Sequence, residues 1–342
     1  MYEKKDQVKK LGEFGLIDLI KNNLLIDPRN VVAGIGDDAA VLRQPTGELL
    51  LATTDMMIEE VHFKIDRNNG SKVGFRVMAA NVSDIAAMGG KPTHALVSIG
   101  VRWDTPVSYI EDIYKGMRKC SIKYGINIVG GDTVFSPNNL VINIMLLGTV
   151  KKDKYLLRSK ACPGDSIIVT GYLGDSSAGI DMLLNKYEIP KDFHSYLVDR
   201  HYYPTPRIWE VAAAQGAGKV TAANDISDGL GSELHEIASA SGVGALIWFD
   251  SLPISEEVRE VSKVSGKDTD WYALFGGEDF EVVMTVKPED TEAVVSAVEK
   301  ETGTKASVVG VIKEKSQGVQ IIKEGLTIDL DKKGYDHFSK QI

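Results

Sequence analysis

Two adjacent aspartates follow a short glycine motif in GIGDDAAV, residues 34–41, and this segment limits the possible folds. The spacing Gly34-x-Gly36-x-x-Ala39 fits the glycine fingerprint of a dinucleotide-binding fold, in which a helix begins directly after the glycines and binds the pyrophosphate. Here the chain continues as AAVLRQPTGELLLATTD, two extended runs joined by a Pro-Thr-Gly turn. The pattern therefore predicts a β-hairpin, and the paired carboxylates would also repel a pyrophosphate.

Composition and charge narrow the possible partners. The 342 residues include 48 acidic and 39 basic side chains, which gives a formal net charge of -9. Since no basic run offsets this charge, nucleic acid is not expected as a partner. No apolar stretch has the length of a membrane span, and the N-terminal residues lack the apolar region of a signal peptide. We therefore expect a cytoplasmic protein without a membrane partner.

Strand-like and helical patterns alternate along the chain, which is typical of an α/β protein. The apolar series breaks at KKDKYLLRSKACPGD, where a polar stretch and a Pro-Gly-Asp turn precede a new strand. We therefore place a boundary near residue 150, with one domain over residues 1–150 and a second over 151–342. Six helices are predicted. They cover residues 72–88 and 106–124, a segment from about 176, a segment after Pro206, the segment DGLGSELHEIASAS that begins at Asp228, and about 290–301. The predicted strands are the hairpin, THALVSIGV, INIVGGDT up to a glycine turn, LVINIMLLGTV, SIIVTG, VTAAND, GALIWF and ASVVGVI.

Aspartates recur beside small residues at the ends of these apolar elements. Taken singly, such residues are explained by helix capping or turn formation, as for Asp228 and Asp132. Asp84 is different because it lies inside a predicted helix among apolar residues, where it has no cap to serve and where burial without a partner is costly. The recurring acids are Asp37, Asp38, Asp55, Asp84, Asp132, Asp225 and Asp228.

A site built from several of these acids needs cations, because two carboxylates about 4 Å apart repel by roughly 4 kcal/mol at an effective dielectric constant of about 20. Oxygen ligands favour Mg²⁺, Mn²⁺ or Ca²⁺ over zinc, and Cys120 and Cys162 stand in unrelated contexts that exclude a disulfide framework. NDISDGLGSELHE lacks the alternating ligands of a helix-loop-helix calcium site. Since the sequence also lacks a GxxxxGK[ST] loop, a nucleotide would have to bind through metal ions, typically Mg²⁺.

Six motifs together resemble one enzyme family. They are GIGDDAAV, TTDMMIEEVHF, NVSDIAAMGG, IVGGDT, NDISDGL and FGGEDFEV. In this order and at these intervals they resemble the thiamine-monophosphate kinases, within the superfamily of aminoimidazole-ribonucleotide-synthetase-like ATP enzymes. The ending GYDHF is also similar to the tail of this family.

The resemblance implies an α/β (α+β) fold with two domains. The N-terminal domain would bind ATP and Mg²⁺ and pair its sheet with that of a second chain in a homodimer, and the C-terminal α/β sandwich would complete the nucleotide and substrate site. The implied reaction is direct, in-line phosphoryl transfer from ATP to thiamine monophosphate, which gives ADP and thiamine diphosphate. Since the acceptor is already a phosphate, we expect no covalent nucleophile and no general base.

The resemblance also implies the site residues. The Mg²⁺ ligands would be Asp37, Thr53, Thr54, Asp55, Asp84, Asp132, Asp225 and Asp228, with Asp38 beside the first of them. The ATP contacts would be Tyr114, Gly131, Arg158 and Ser227, and the contacts to thiamine would be His62, Glu278 and Tyr335. Tyr335 stands where some members have tryptophan and offers an aromatic face to the pyrimidine ring. For Tyr114 and His62, packing in the core is the alternative.

Rival functions remain open from the sequence alone. The same superfamily includes selenophosphate synthesis, a purine-pathway cyclo-ligase and a hydrogenase-maturation dehydratase. The first has a reactive cysteine or selenocysteine in an N-terminal loop and the last ends in cysteine, and this chain has neither. EEVHF and GGEDFEV favour the thiamine enzyme over the cyclo-ligase. A non-catalytic acidic protein that binds divalent ions is a rival of another class.

Overall fold

The computed structural model describes residues 30–34, 36–44, 47–65 and 69–332. The strands of the described residues form two sheets, one of six strands in the first half of the chain and one of seven in the second. Within these ranges, no helix combines the length and the apolar character that crossing a membrane requires.

The first sheet is largely antiparallel. Its strands are β1 (Val31–Ala33), β2 (Ala40–Arg43), β3 (Glu48–Ile58), β4 (Lys91–Val101), β5 (Asn127–Phe135) and β6 (Val141–Lys151). Their order is β1-β2-β3-β6-β4-β5, and β4 and β5 pair in parallel. The antiparallel pairing of β2 with β3, in which Ala40 faces Ala52, confirms the hairpin predicted after GIGDDAAV.

Helices α1 (Gly70–Ala87) and α2 (Val107–Tyr124) cover one face of this sheet. The side chain of Asn69 caps α1 by accepting a hydrogen bond from the backbone N–H of Ser71 at 2.7 Å. Alternate residues of β6 are fully buried in the core shared with these helices, as the period of two in a strand requires. These buried residues are Ile142, Ile144 and Leu146.

The two helices approach each other closely at two glycines. A Cβ atom at Gly74 would lie 1.9 Å from the carbonyl oxygen of Ile113, and one at Gly116 would lie 1.9 Å from that of Ser71. No side chain fits at such distances, so glycine at these two positions fixes how deeply α1 and α2 pack against each other.

The central strands of the second sheet are buried on both faces. Its strands are β7 (Ser166–Thr170), β8 (Val220–Ile226), β9 (Gly244–Trp248), β10 (Glu281–Val286), β11 (Ala306–Lys313), β12 (Val319–Lys323) and β13 (Leu326–Asp329). Their order is β13-β12-β9-β11-β7-β10-β8. Ile167 and Val169 of β7 belong to one core and Ile168 to the other, so consecutive residues of this strand are apolar, without alternation.

Seven helices surround the second sheet in the described residues. They are α3 (Asp175–Asn185), α4 (Lys191–Tyr202), α5 (Ile208–Ala217), α6 (Leu230–Ser241), α7 (Glu256–Ser265), α8 (Thr269–Phe275) and α9 (Thr291–Thr302). Helices α5 and α9 contribute to one core, and the other five contribute to the opposite one. Helix α1 of the first half also packs against β8, α4 and α5, so it contacts both halves of the protein.

The structure corrects one prediction and adds several elements. The strand INIVGGDT was expected to stop at a glycine turn, but β5 continues to Phe135. A Cβ atom at Gly131 would lie 1.8 Å from the carbonyl oxygen of Val97, so this glycine allows close approach of β4 within the sheet. The elements that the sequence patterns did not predict are β1, α4, α7, α8, β10, β12 and β13.

Replacing Gly74 by alanine should lower the free energy of unfolding by about 1–3 kcal/mol, because the new methyl group forces α1 and α2 apart. Chemical denaturation measures this change. Gly216→Ala is the matched control, since nothing lies within 4 Å of a Cβ atom placed there in α5. Equal stability of the two variants would show that the helices tolerate a wider separation.

Candidate active site

Three carboxylates from different parts of the fold meet where the two halves join. Asp38 precedes β2, Asp84 lies in the last turns of α1, and Asp225 lies near the end of β8. One oxygen of each lies within 4.8 Å of the others. We call Asp38, Asp84 and Asp225 the carboxylate cluster.

Burial and mutual repulsion change the proton affinity of this region. The pKa of Asp84 is raised well above its usual value, first by burial and then by the charges of Asp55, Asp225 and Asp38. Burial and the charge of Asp38 likewise raise the pKa of Asp225. Burial raises the pKa of Asp38 to about 6 although Arg158 opposes the shift, and burial raises the pKa of Asp55 to about 6. The surrounding protein therefore supplies too few positive charges and hydrogen-bond donors to balance these carboxylates in their ionised form.

The donor atoms of the carboxylate cluster suit a hard divalent cation. Asp38 uses one oxygen to pair with Arg158, and its buried Oδ2 has no hydrogen-bond partner among the described residues. Asp84 accepts a hydrogen bond from the hydroxyl of Thr53, which also lies 3.1 Å from the carbonyl oxygen of Asp38. Clustered carboxylate and hydroxyl oxygens with an unpaired acceptor are the ligand set that Mg²⁺ prefers.

Arg158 connects the loop that carries Asp37 and Asp38 to the second half. Its backbone N–H donates to Asp37 Oδ1 at 2.7 Å, and its guanidinium pairs with Asp38. On its other side the guanidinium binds Glu236 at 2.8 Å and donates to Asn224 Oδ1 at 3.0 Å. Arg158 thus holds this loop against α6 and β8.

Asp55 lies beside the carboxylate cluster on the covered face of the first sheet. Its backbone N–H donates to Asn81 Oδ1 at 3.1 Å, and the amide group of Asn81 donates to the carbonyl oxygen of Val77 at 3.0 Å. Asn81 and Asp84 both belong to α1, so this helix fixes β3 and supplies one carboxylate of the cluster.

Three predicted site residues lie away from the cluster within one chain. Gly131 is separated from Asp55 by three strand spacings, because Asp55 pairs with Ile144, Ile144 with Val97, and Val97 with Gly131. At about 4.8 Å per spacing, Gly131 lies roughly 14 Å from Asp55. Asp132 is exposed and is level with Ser98 on the face opposite Asp55. Thr54 is also exposed on that open face, and its hydroxyl donates to Asn143 Oδ1 at 3.1 Å.

The predicted metal ligand Asp228 and the predicted ATP contacts Ser227 and Tyr114 lie in two places. Ser227 and Asp228 follow β8 directly, and the carbonyl oxygen of Ser227 accepts the backbone N–H of Glu278 at 2.6 Å. The backbone N–H of Asp228 donates to Glu233 Oε1 at 3.0 Å. Tyr114 lies on α2, partly buried against the core of the first half.

The substrate-side predictions, His62 and Glu278, meet at Arg76. The backbone N–H of Ile58 donates to His62 Nδ1 at 3.0 Å, so the proton of a neutral His62 ring is on Nε2. Arg76 donates to the carbonyl oxygen of His62 and lies 3.7 Å from Glu278 Oε1. Tyr335 lies outside the described residues.

Comparisons with known proteins cover nearly the whole chain. Models of the AIR synthase related protein match residues 36–150 (N-terminal domain) and 162–323 (C-terminal domain). The chain is 38% identical over 332 residues to the thiamine-monophosphate kinase of Bacillus subtilis (strain 168), with 96% of this chain and 100% of the relative covered. It is 36% identical over 335 residues to that of Aquifex aeolicus (strain VF5), with 97% and 100% covered.

The chain belongs to the thiamine-monophosphate kinase family. A solved structure of AaThiL complexed with AMPPCP and TMP is similar over 98% of this chain and 100% of that one, with a TM-score of 0.84 and 35% identity. Membership of the thiamine-monophosphate kinase family confirms the resemblance drawn from the six motifs and the two-domain α/β fold class.

The sequence patterns do not identify several residues around the carboxylate cluster. Asp38 is one of the recurring acids, but the family resemblance places it only beside the ligand Asp37, whereas the structure places it in the carboxylate cluster. The two consecutive aspartates of GIGDDAAV are the sequence signal that could have identified it. Asn81, Glu236 and Arg76 were not assigned, because their partners are distant in sequence and the local pattern around each is that of an ordinary helix.

The metal-free protein should lose stability as the pH rises from about 4 to about 7. Asp38 and Asp55 have folded-state pKa values of about 6 against 3.8 for an ordinary aspartate, so the folded state binds their protons more tightly. The resulting stability is present at low pH and is lost as the pH rises through about 6. Thermal denaturation in EDTA, compared with Mg²⁺, measures this effect. Because Mg²⁺ competes with protons, it should stabilise more at pH 7.5 than at pH 5.5, and an equal gain at both would contradict the assignment.

Proposed function

We infer that this chain transfers the γ-phosphoryl group of ATP to the phosphate of thiamine monophosphate, which gives ADP and thiamine diphosphate. The observation that carries this inference is the carboxylate cluster of Asp38, Asp84 and Asp225, found in a chain of the thiamine-monophosphate kinase family. The related AaThiL binds AMPPCP and TMP, which correspond to the two substrates proposed for this chain.

We propose that Mg²⁺ binds at the carboxylate cluster and its surroundings. When bound, Mg²⁺ neutralises the charge of the phosphate oxygens of both substrates. Hydrogen bonds position the carboxylate oxygens for this role. Thr53 orients Asp84, and Arg158 orients Asp37 and Asp38. The proposed ligands are Asp38 of the cluster together with those that the family resemblance implies, which are Asp37, Thr53, Thr54, Asp55, Asp84, Asp132, Asp225 and Asp228.

The reaction needs no covalent intermediate and no general base. The acceptor brings an ionised phosphate oxygen, so no proton has to be removed before attack. Cys120 is fully buried and has its pKa raised to about 12, which excludes it as a nucleophile. His62 has Nδ1 occupied by the N–H of Ile58. We therefore propose direct, in-line transfer, with the chain positioning the two phosphates.

We propose that Tyr114, Gly131, Arg158 and Ser227 contact ATP and that His62, Glu278 and Tyr335 contact the thiamine moiety. The position of His62 and Glu278 on either side of Arg76 supports a shared role for those two. The anchored guanidinium of Arg158, close to the carboxylate cluster, supports a role near the phosphates. We retain the division into residues 1–150, for ATP binding and dimerisation, and 151–342, for completion of the site.

A homodimer through the open face of the first sheet is part of this proposal. Met56 is 50% exposed there, Leu96 39% and Met145 37%, although they lie on neighbouring strands of one sheet. Such an apolar surface favours association. A second chain packed on this face can also bring its own Asp132 towards Thr54, which a single chain cannot do. We further propose that the enzyme acts in the cytoplasm.

The purified protein with ATP, Mg²⁺ and thiamine monophosphate should form ADP and thiamine diphosphate in equal amounts. Free thiamine should be a very poor substrate, because its hydroxyl group needs a base and brings no phosphate oxygens to the site. Chromatography of both products measures the stoichiometry. ADP formation that does not depend on thiamine monophosphate, or efficient phosphorylation of free thiamine, would contradict the proposal.

Replacing Asp84 by asparagine should reduce turnover by at least about 100-fold, since even residues that only orient metal ligands contribute about 10–100-fold. The fold should persist, and the metal-free variant should be more stable than the wild type at pH 7.5 because repulsion from Asp38, Asp55 and Asp225 is relieved. Initial rates and thermal denaturation in EDTA test both statements. A variant with near-normal activity would remove Asp84 from the site.

Sedimentation velocity at micromolar concentration should show a dimer of the wild type. Met145→Glu should shift it to a monomer, because the charge lies at the centre of the open face. Leu184→Glu is a matched control, since Leu184 is 51% exposed on α3, away from that sheet. A monomeric wild type, or dissociation by both substitutions alike, would refute this interface.

A further inference from the structure

Arg76 is a buried arginine that contacts both halves of the protein. It lies on α1, is 2% exposed, and precedes Asp84 on the same helix. Its Nη1 lies 2.7 Å from Nε2 of His201, on α4. Its Nη2 donates to the carbonyl oxygen of His62 and lies 3.7 Å from Glu278 Oε1. One guanidinium thus joins the two residues proposed to contact thiamine.

The contact with Arg76 fixes the tautomer of His201. A guanidinium can only donate hydrogen bonds, so Nε2 of His201 accepts, and a neutral ring carries its proton on Nδ1. The ring is neutral because its pKa is lowered well below the usual value by burial first, then by the charges of Arg76 and Lys72. The Nδ1 atom lies 3.1 Å from Ser176 Oγ and 3.7 Å from Glu278 Oε2.

The backbone around Glu278 is held in an uncommon conformation. Glu278 has φ +64° and Phe280 has φ +50°, in the left-handed region that costs about 1–2 kcal/mol per residue other than glycine. Backbone hydrogen bonds from these residues to Ser227 and Ile226 maintain it, at 2.6 and 2.9 Å. Strained backbone of this kind is often found at functional sites.

The carboxylate of Glu278 stays available despite these neighbours. Its side chain is 31% exposed, and its contacts with Arg76 and His201, both 3.7 Å long, exceed hydrogen-bond distance. Two donors therefore flank the carboxylate from the buried side without binding it directly. A cationic ligand group could approach from the exposed side.

We propose that Arg76 and His201 are positioning residues for the thiamine end of the substrate. Arg76 fixes the distance between His62 and Glu278. The ring of His201, which Ser176 holds at Nδ1, bounds the Glu278 carboxylate on its buried side. This inference rests on the proposed function. Both residues act through Glu278 and His62, so they affect recognition of thiamine monophosphate and leave recognition of ATP unchanged.

Arg76→Lys tests the role of the guanidinium. Lysine keeps the positive charge, but its single nitrogen cannot serve His201, His62 and Glu278 together. We expect the KM for thiamine monophosphate to rise about 10-fold, as for the loss of one charge-assisted hydrogen bond, while the KM for ATP stays within about 2-fold. Calorimetric titration with thiamine monophosphate alone should show a matching loss of affinity.

Arg207→Lys is the matched control for loss of a buried arginine. Arg207 is 7% exposed and donates to Glu281 through Nε at 2.6 Å and Nη2 at 2.5 Å. This variant should lose stability without changing either KM. If Arg76→Lys behaves in the same way, or if it raises both KM values together, Arg76 is a structural residue and the inference fails.

Two substitutions of His201 separate the ring nitrogens. Glutamine places its amide group near the position of Nε2 and loses the Nδ1 donor, whereas asparagine keeps a donor near Nδ1. We expect His201→Gln to raise the KM for thiamine monophosphate more than His201→Asn does, and the reverse order would overturn the assigned tautomer. These variants also decide the question if Arg76→Lys does not fold.

The wild type separates failure of this inference from failure of the proposed function. If the wild type consumes no ATP in response to thiamine monophosphate, both fail. If the wild type is active and folded Arg76→Lys has an unchanged KM and affinity for thiamine monophosphate, the inference alone fails.

Discussion

Repulsion between carboxylates where the two halves join is the constraint on which the rest of the structure depends. Asp38, Asp84 and Asp225 come from a loop, a helix and a strand, and their oxygens lie within 4.8 Å of one another. Like charges so close destabilise the folded state unless cations or protons balance them. Arg158 provides part of this balance and is itself held by Glu236, so the loop, α6 and β8 are fixed together around the charges.

Helix α1 provides the packing that offsets this electrostatic cost. Most of its residues are buried, and Gly74 and Gly116 allow its backbone to pack closely against that of α2. Burial of apolar surface stabilises by about 25 cal/mol per Å², so a long buried helix can tolerate one charged position such as Asp84. Asp84 thus lies on a well-packed helix, which limits the movement of its carboxylate.

Local sequence patterns predict many of the helices and strands. The features that they do not predict depend on contacts between residues far apart in sequence. The hairpin after GIGDDAAV and the helices near 72–88 and 106–124 follow from turn residues and periodicity, and the motifs pointed to the acids. Periodicity could not show that Asp132 lies on the face opposite Asp55, because that depends on strand order. Periodicity also could not pair Arg76 with His201, because the two residues are 125 positions apart in sequence. Nor could it show that Gly131 lies inside a strand, where it allows close approach of β4, and not in a turn.

The contacts of α1 with both halves also bear on how ligands enter and leave. Helix α1 packs directly against β8, and Arg76 joins it to α4 through His201. A hinge rotation of one half against the other would separate both contacts at once, including a buried guanidinium from its acceptors. Opening of this kind is therefore costly, and exchange of substrates and products should depend on movements of local segments within a rigid frame.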